Sequence, residues 1–319
     1  MISAKQLRKH KYSKLDKSRF LFAYLCVLFP VCQFALFFIF VNINSIVLAF
    51  QTDEGAFTLY NFKLVFDAFR GVYSPAAGAG SIGVALGHSV ILWLWSKFII
   101  YPIAVVSTYI LFKKVRGHYA FRVIFTLPAV LGATIWVATL QGIADYNGIL
   151  VKLCQSLGIP LSENVLTSGF IFNKDTSFTT MVVFTVIGVV GGDVVLTGAF
   201  ARIPNEIFES ARIDGAGFWR ECVQIAVPCV GSTISTILTF ALCSFFVADC
   251  NAFLFTRGVA GNYNAETMGF YFLQLQVVAK ETHKYTFPAA VGLTVSAITV
   301  PFVLFGRKVL DKLFPPTEF

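Results

Sequence analysis

Polar positions are so sparse along this chain that its apolar runs can be read off directly. No Asp, Glu, Lys, Arg or His falls in residues 20–52, 223–248 or 285–306, and each run exceeds the ~20 residues that carry a helix across hydrocarbon. Residues 123–144 are also uncharged by this test, while 88–112 and 178–201 carry one full charge each, Lys97 and Asp193. The pattern predicts six transmembrane helices in an all-α polytopic membrane protein. Barrel strands would be about ten residues long and alternate apolar with polar. These runs do neither, and hydrocarbon offers an open backbone no partner. Pro30, Pro102, Pro128 and Pro301 fall inside or beside the runs, where local kinks are expected.

Composition agrees, with 56% apolar and only 13% charged residues, far more apolar surface than one soluble core could cover. Charge then sets the topology. Of 25 Lys and Arg, 17 lie in residues 1–19, 113–122, 202–222 and 307–319, while 7 lie in the segments expected on the opposite side, 42–81, 145–177 and 249–286. The positive-inside rule therefore places both termini in the cytoplasm. The expected organisation is a basic N-terminal segment at 1–19, a six-helix domain at 20–306 with a cytoplasmic loop at 202–222, and a short tail at 307–319. The basic head KQLRKHKYSKLDKSR reads as an inside anchor, not a nucleic-acid patch. The apolar run after it is about twice the 7–15 residues of a signal-peptide core, so it reads as a span.

Chemistry-bearing patterns are few. Cys26, Cys32, Cys222, Cys229, Cys243 and Cys250 sit in or at the ends of spans, where cysteine acts as a small apolar residue, and Cys154 is alone in an outer loop. His10, His88, His118 and His283 lack ligand spacing, so no metal site is expected. The Gly-rich 78-GAGSIG-83 has no lysine and precedes a span, which argues against a phosphate-binding loop and against ATP hydrolysis by this chain. No cofactor and no catalytic residue is expected.

Between two long apolar runs lies the polar stretch 209-ESARIDGAGFWRECVQIAVP-228. Pro204 suits a first helical turn, Glu206 and Glu209 suit its positive dipole end, and Gly215 can end the helix with φ > 0. A second helix from about Phe218 would then merge into the next span. The predicted form is helix, sharp bend, helix.

This stretch resembles the E-A-A-x3-G-x9-I-x-L-P loop of bacterial ABC-importer permeases. Glu209-Ser210-Ala211, Gly215 and Ile225-Ala226-Val227-Pro228 stand at the matching positions, with Ser for the second residue and Val for Leu. Asp214-Gly215-Ala216 matches the form usual in the maltose-type, carbohydrate-uptake branch. Three further stretches, 116-RGHYAFRVIFTLPAV-130, 145-DYNGILVKLCQSLGI-159 and 198-GAFARIPNEIFESARIDGA-216, resemble that family's other recurrent segments. Residues 20–310 are covered at this level.

The resemblance implies a type I ABC-importer permease fold in the bacterial cytoplasmic membrane. Its implied partners are a second homologous permease in a heterodimer, a dimer of ATP-hydrolysing subunits, an extracytoplasmic solute-binding protein facing residues 256–272, and a sugar substrate. Glu209, Ser210, Ala211, Arg212, Asp214, Gly215 and Ala216 would form a coupling helix seated in a groove of the ATPase. A solvated helical hairpin that merely keeps the loop polar is the plainer reading. For the substrate path, spans four and five would offer Phe184, Gly188, Gly191, Phe245, Phe246 and Asp249, together with the intramembrane charges Lys97 and Asp193. Phe side chains also serve as packing filler, and glycines as close helix contacts. Asp193 and Lys97 are alternatively a structural pair. An ion-coupled secondary transporter using Asp193 is the competing class. An intramembrane enzyme lacks a catalytic constellation in the spans.

Overall fold

The computed structural model describes residues 14–73, 81–130, 132–189, 194–249 and 251–314. The basic head up to residue 13, Gly78–Gly80 of the Gly-rich stretch, Gly191, Asp193, Cys250 and residues 315–319 lie outside these ranges. The described chain is helical, without a strand; one isolated bridge joins Gln51 and Phe57.

Among the described residues, three helices are long and apolar enough to cross a membrane: α1 (Phe20–Ala49), α3 (Ile82–Phe112) and α15 (Thr286–Leu313). The short helix α2 (Tyr60–Phe69) lies between the first two. The predicted span at 223–248 is a bent pair instead, α11 (Phe218–Cys229) and α12 (Gly231–Cys243), which meet at 71°. The predicted span at 123–144 is covered by α4 (His118–Val130) and α5 (Ala133–Ala144), and that at 178–201 by α8 (Ser177–Val189) and α9 (Val194–Phe200). Proline accounts for two of the π-wound turns within longer helices. Ser96–Ile100 runs just ahead of Pro102 and Glu221–Ala226 just ahead of Pro228. A widened turn absorbs the carbonyl that proline leaves without a donor.

The segments expected to be outer loops are also largely helical. They hold α6 (Ile149–Ser156), α7 (Glu163–Ser168), α13 (Ala252–Phe255) and α14 (Met268–Thr282). Sequence reading missed α14 because Gln274, Gln276 and Lys280 interrupt its hydropathy. The missed signal is spacing: Met268, Tyr271, Leu275 and Ala279 fall at helical intervals and are all buried.

Three apolar clusters succeed one another along α3. Ile82 and Ala85 pack with α2, α14 and the start of α15. Leu92 belongs to a second cluster with α5, α8 and α13. Val105 and Tyr109 join α9, α11 and the loop helix α10 (Asn205–Ile213) in a third. Helix α3 thus runs as a spine from one end of the bundle to the other. Helix α1 differs, since none of its most apolar window is buried; a helix apolar all round and uncovered by its own chain suits lipid or another subunit.

One buried acid stands out near the start of α14. Glu266 is 4% exposed, and its Oε2 has no hydrogen-bond partner among the described residues. Its main-chain carbonyl accepts from His88 Nδ1 at 2.8 Å. Burial pushes its carboxyl above the ordinary range. A raised acid contributes stability that is complete below its unfolded-state pKa, near 4.5, and is lost as pH rises through the higher folded value. Glu266→Met should therefore raise the stability at pH 7, on the order of 1–3 kcal/mol, with the gain shrinking toward pH 4. Melting curves of the detergent-purified chain at both pH values test this, and an equal gain at each would exclude burial of the charge as the cause.

Candidate functional site

A cavity of about 530 Å³ lies between the second and third clusters, lined from α3, α5, α8 and the segment after α12. Trp93, Trp136, Phe184 and Phe255 supply aromatic surface; Ser96, Lys97, Thr185, Ser244, Asp249 and Asn251 supply polar groups. Lys97 stands in the π-wound turn of α3, where the extra residue per turn shifts its neighbours round the helix. Among the described residues it has no carboxylate within ion-pair distance.

The walls are tied by hydrogen bonds between remote segments. Trp93 Nε1 donates to the Ala241 carbonyl at 2.7 Å, and Ser89 Oγ donates to the Ala248 carbonyl at 2.7 Å. Gln141 Nε2 donates to the carbonyls of Leu254 and Phe255 at 2.9 and 2.8 Å. These carbonyls belong to the last turn of α12, the segment after it and α13, where the helical ladder gives out; that of Ala241 also accepts from Ser244 N. Asp249 is committed in the same way: its Oδ1 accepts from Thr267 Oγ1 at 2.7 Å and from Ala252 N at 3.2 Å. Gly269 allows that approach, since a side chain there would meet Asp249 Cβ at 2.6 Å. Asn251 lines the cavity with φ +56, a left-handed conformation that asparagine tolerates better than most residues.

At the other end of α3, the polar loop folds as helix, turn and helix. Pro204 stands immediately before the first turn of α10, and Phe208 and Ala211 face inward at 4% and 6% exposure. Glu209, Ser210, Arg212 and Asp214 are exposed, as is Ile213 at 87%. The helix ends in a Schellman arrangement: Ala216 N donates to the Ala211 carbonyl and Gly215 N to the Arg212 carbonyl, with φ +76 at Gly215.

The comparisons bear on this geometry. No family model matches the chain. It is 24% identical over 196 residues to the diacetylchitobiose uptake system permease protein NgcF of Streptomyces coelicolor, covering 60% of this chain and 53% of that one. It is 24% identical over 281 residues to the maltodextrin transport system permease protein MalC of Streptococcus pneumoniae, covering 80% and 63%. The chain thus spans about half to two thirds of the length of these curated relatives. Among solved structures, it superposes with TM-score 0.74 at 18% identity on a bacterial ABC transporter involved in import of the acidic polysaccharide alginate, over 93% of this chain and 97% of that one. A bacterial alginate ABC transporter in complex with an alginate pentasaccharide-bound periplasmic protein gives 0.75 at 16% identity, over 97% and 100%. The fold is that of an ABC-importer permease. The curated relatives are permease proteins of sugar-uptake systems.

Within this permease fold, Lys97, Phe184 and Asp249 come together in one cavity although they span 152 positions of sequence. Phe245 and Phe246 do not line it. Phe245 sits edge-on to Trp93 at 4.7 Å and against Phe302 at 4.4 Å, behind the wall, and Phe246 packs with the first cluster. Gly188 lies in α8, whereas Gly191 and Asp193 are outside the described residues, so the expected Lys97–Asp193 pair has no geometry to describe. Trp93, Trp136 and Asn251 were not singled out from sequence. A signal for the first two existed in the scarcity of tryptophan, four in the whole chain, two of which line this cavity.

Proposed function

We propose that this chain is the transmembrane permease subunit of an ATP-driven, binding-protein-dependent ABC importer of a sugar or oligosaccharide. It supplies half of a translocation pathway beside a second homologous permease in a bacterial cytoplasmic membrane. The observation that carries the reading is the aromatic and polar cavity on the same helix whose far end is packed against the α10 loop. A sugar ring offers an apolar face to Trp93 or Trp136 and hydroxyls to Asn251, Ser96 and Lys97. Relatives that serve diacetylchitobiose and maltodextrin transport support a saccharide cargo, and the alginate transporter's complex with a periplasmic protein supports an extracytoplasmic donor.

Glu209, Arg212, Asp214 and the protruding Ile213 form the surface offered to a separate ATPase, with Ser210, Ala211, Gly215 and Ala216 shaping the helix beneath. ATP is hydrolysed by that partner and not by this chain. ATP binding that draws two such loops together would shift the permease pair between inward-open and outward-open states, because the contacts differ between those states. Co-purification with candidate ATPase, permease and binding-protein subunits, followed by ATPase assays over a panel of sugars, tests the proposal. The expected result is turnover stimulated by a binding protein carrying one ligand. Uptake driven by a pH gradient without any ATPase would overturn it.

A further inference from the structure

Beneath α10 the chain brings two opposite charges out of water. Lys113, at the C-terminal end of α3, forms an ion pair with Glu221 of α11, and the two side chains are only 14% and 7% exposed. The same carboxylate oxygen accepts from Tyr109 Oη at 2.9 Å, and Tyr109 is fully buried. Lys113 Nζ lies 3.9 Å from the centre of the Phe208 ring, which belongs to α10. Phe112 and Phe200 close the surroundings as an aromatic cluster. A lysine at a helix end ordinarily extends its ammonium to water. Here it turns inward instead.

Apolar packing alone would let α10 slide over α3, since dispersion and burial have little directional preference. A buried ion pair with a hydroxyl donor on the same oxygen holds one relative position, and loses much when either partner goes. We propose that Lys113 and Glu221 form the linkage that makes α3 follow α11, the helix that completes the loop begun by α10, so that displacement of the loop reaches the cavity wall at Trp93 and Lys97. Lys97 lies about 24 Å up the same helix, at 1.5 Å per residue, and the helix is continuous between them. Both are positioning residues. The inference rests on the reading of the loop as the contact for an ATPase.

The test uses the assembled complex, with Ser96→Cys as a reporter on the cavity wall in a background without native cysteines. Alkylation by a membrane-impermeant maleimide is timed with and without ATP and vanadate. With Lys113 and Glu221 in place, trapping should change the rate about tenfold, within the range of coupling between distant sites. Glu221→Gln should abolish the change while the ATPase still co-purifies and still hydrolyses ATP. The exchanged double variant Lys113→Glu with Glu221→Lys should restore at least part of it. If Glu221→Gln does not accumulate, Tyr109→Phe is measured instead and should reduce the change at least by about half, because it removes one of two donors to the carboxylate. An undiminished change in whichever single variant is measured overturns the linkage and makes the pair a balance of buried charges. Absence of an ATPase or of any ATP-dependent change with the native pair present overturns the importer reading itself.

Discussion

Trp93→Ala should lower the stability of the purified chain by about 3–5 kcal/mol, the range for removing a large ring from a packed site. The indole is 8% exposed, meets Phe245 edge-on at 4.7 Å and donates to the Ala241 carbonyl at 2.7 Å. Two losses therefore combine, a cavity beside an existing one and one hydrogen bond to a carbonyl that Ser244 N and Oγ also reach. Trp93→Phe retains much of the packing and removes only the N–H, which should cost roughly 1 kcal/mol. Thermal unfolding of both variants in detergent separates the two contributions. If alanine and phenylalanine cost the same, ring volume is not what Trp93 supplies. Uptake should fall in both, and further in the alanine variant, if the ring is also a stacking surface for cargo.

Ala211→Leu is expected to have the second large effect, at the other end of α3. Ala211 is 6% exposed on the inner face of α10, one turn from Phe208. Three further carbons there have no space without lifting the helix, and overpacking of this kind costs about 1–3 kcal/mol. The displacement also moves Glu209 and Arg212, so co-purification of an ATPase should drop sharply with Ala211→Leu. Ser210→Ala is the control. Its hydroxyl is exposed and donates only to the Ile207 carbonyl at 3.0 Å, so the change should leave stability within about 0.5 kcal/mol. Retained co-purification in Ala211→Leu, at unchanged thermal midpoint, would mean that α10 is not held by its small inner face.

Sequence reading was strongest where the physical signal is local. Uncharged runs, the glycine that ends α10 and the acidic residues of its first two turns are each legible within a window of one helix or one loop, and so was the resemblance carried by the loop. The sequence does not show α14, because two glutamines and a lysine hide a helical spacing, and hydropathy does not register the 71° bend at Val230 within run 223–248. Phe245 and Phe246 illustrate a different limit. In lipid, a phenylalanine facing hydrocarbon, one packed behind a wall and one lining a cavity are equally apolar, so composition cannot tell them apart.

By itself, the order of residues determined that this chain is apolar helix interrupted by one conspicuous polar hinge, and where that hinge begins and ends. Tertiary structure alone decided that Trp93 and Trp136 line the cavity that holds Lys97, Phe184 and Asp249, that Asp249 is held by Thr267, and that Lys113 meets Glu221 across more than a hundred residues. The division has one physical cause. Helix formation and water avoidance act over a few turns, whereas the partner of a buried charge or ring is chosen by packing between segments that the sequence does not place side by side.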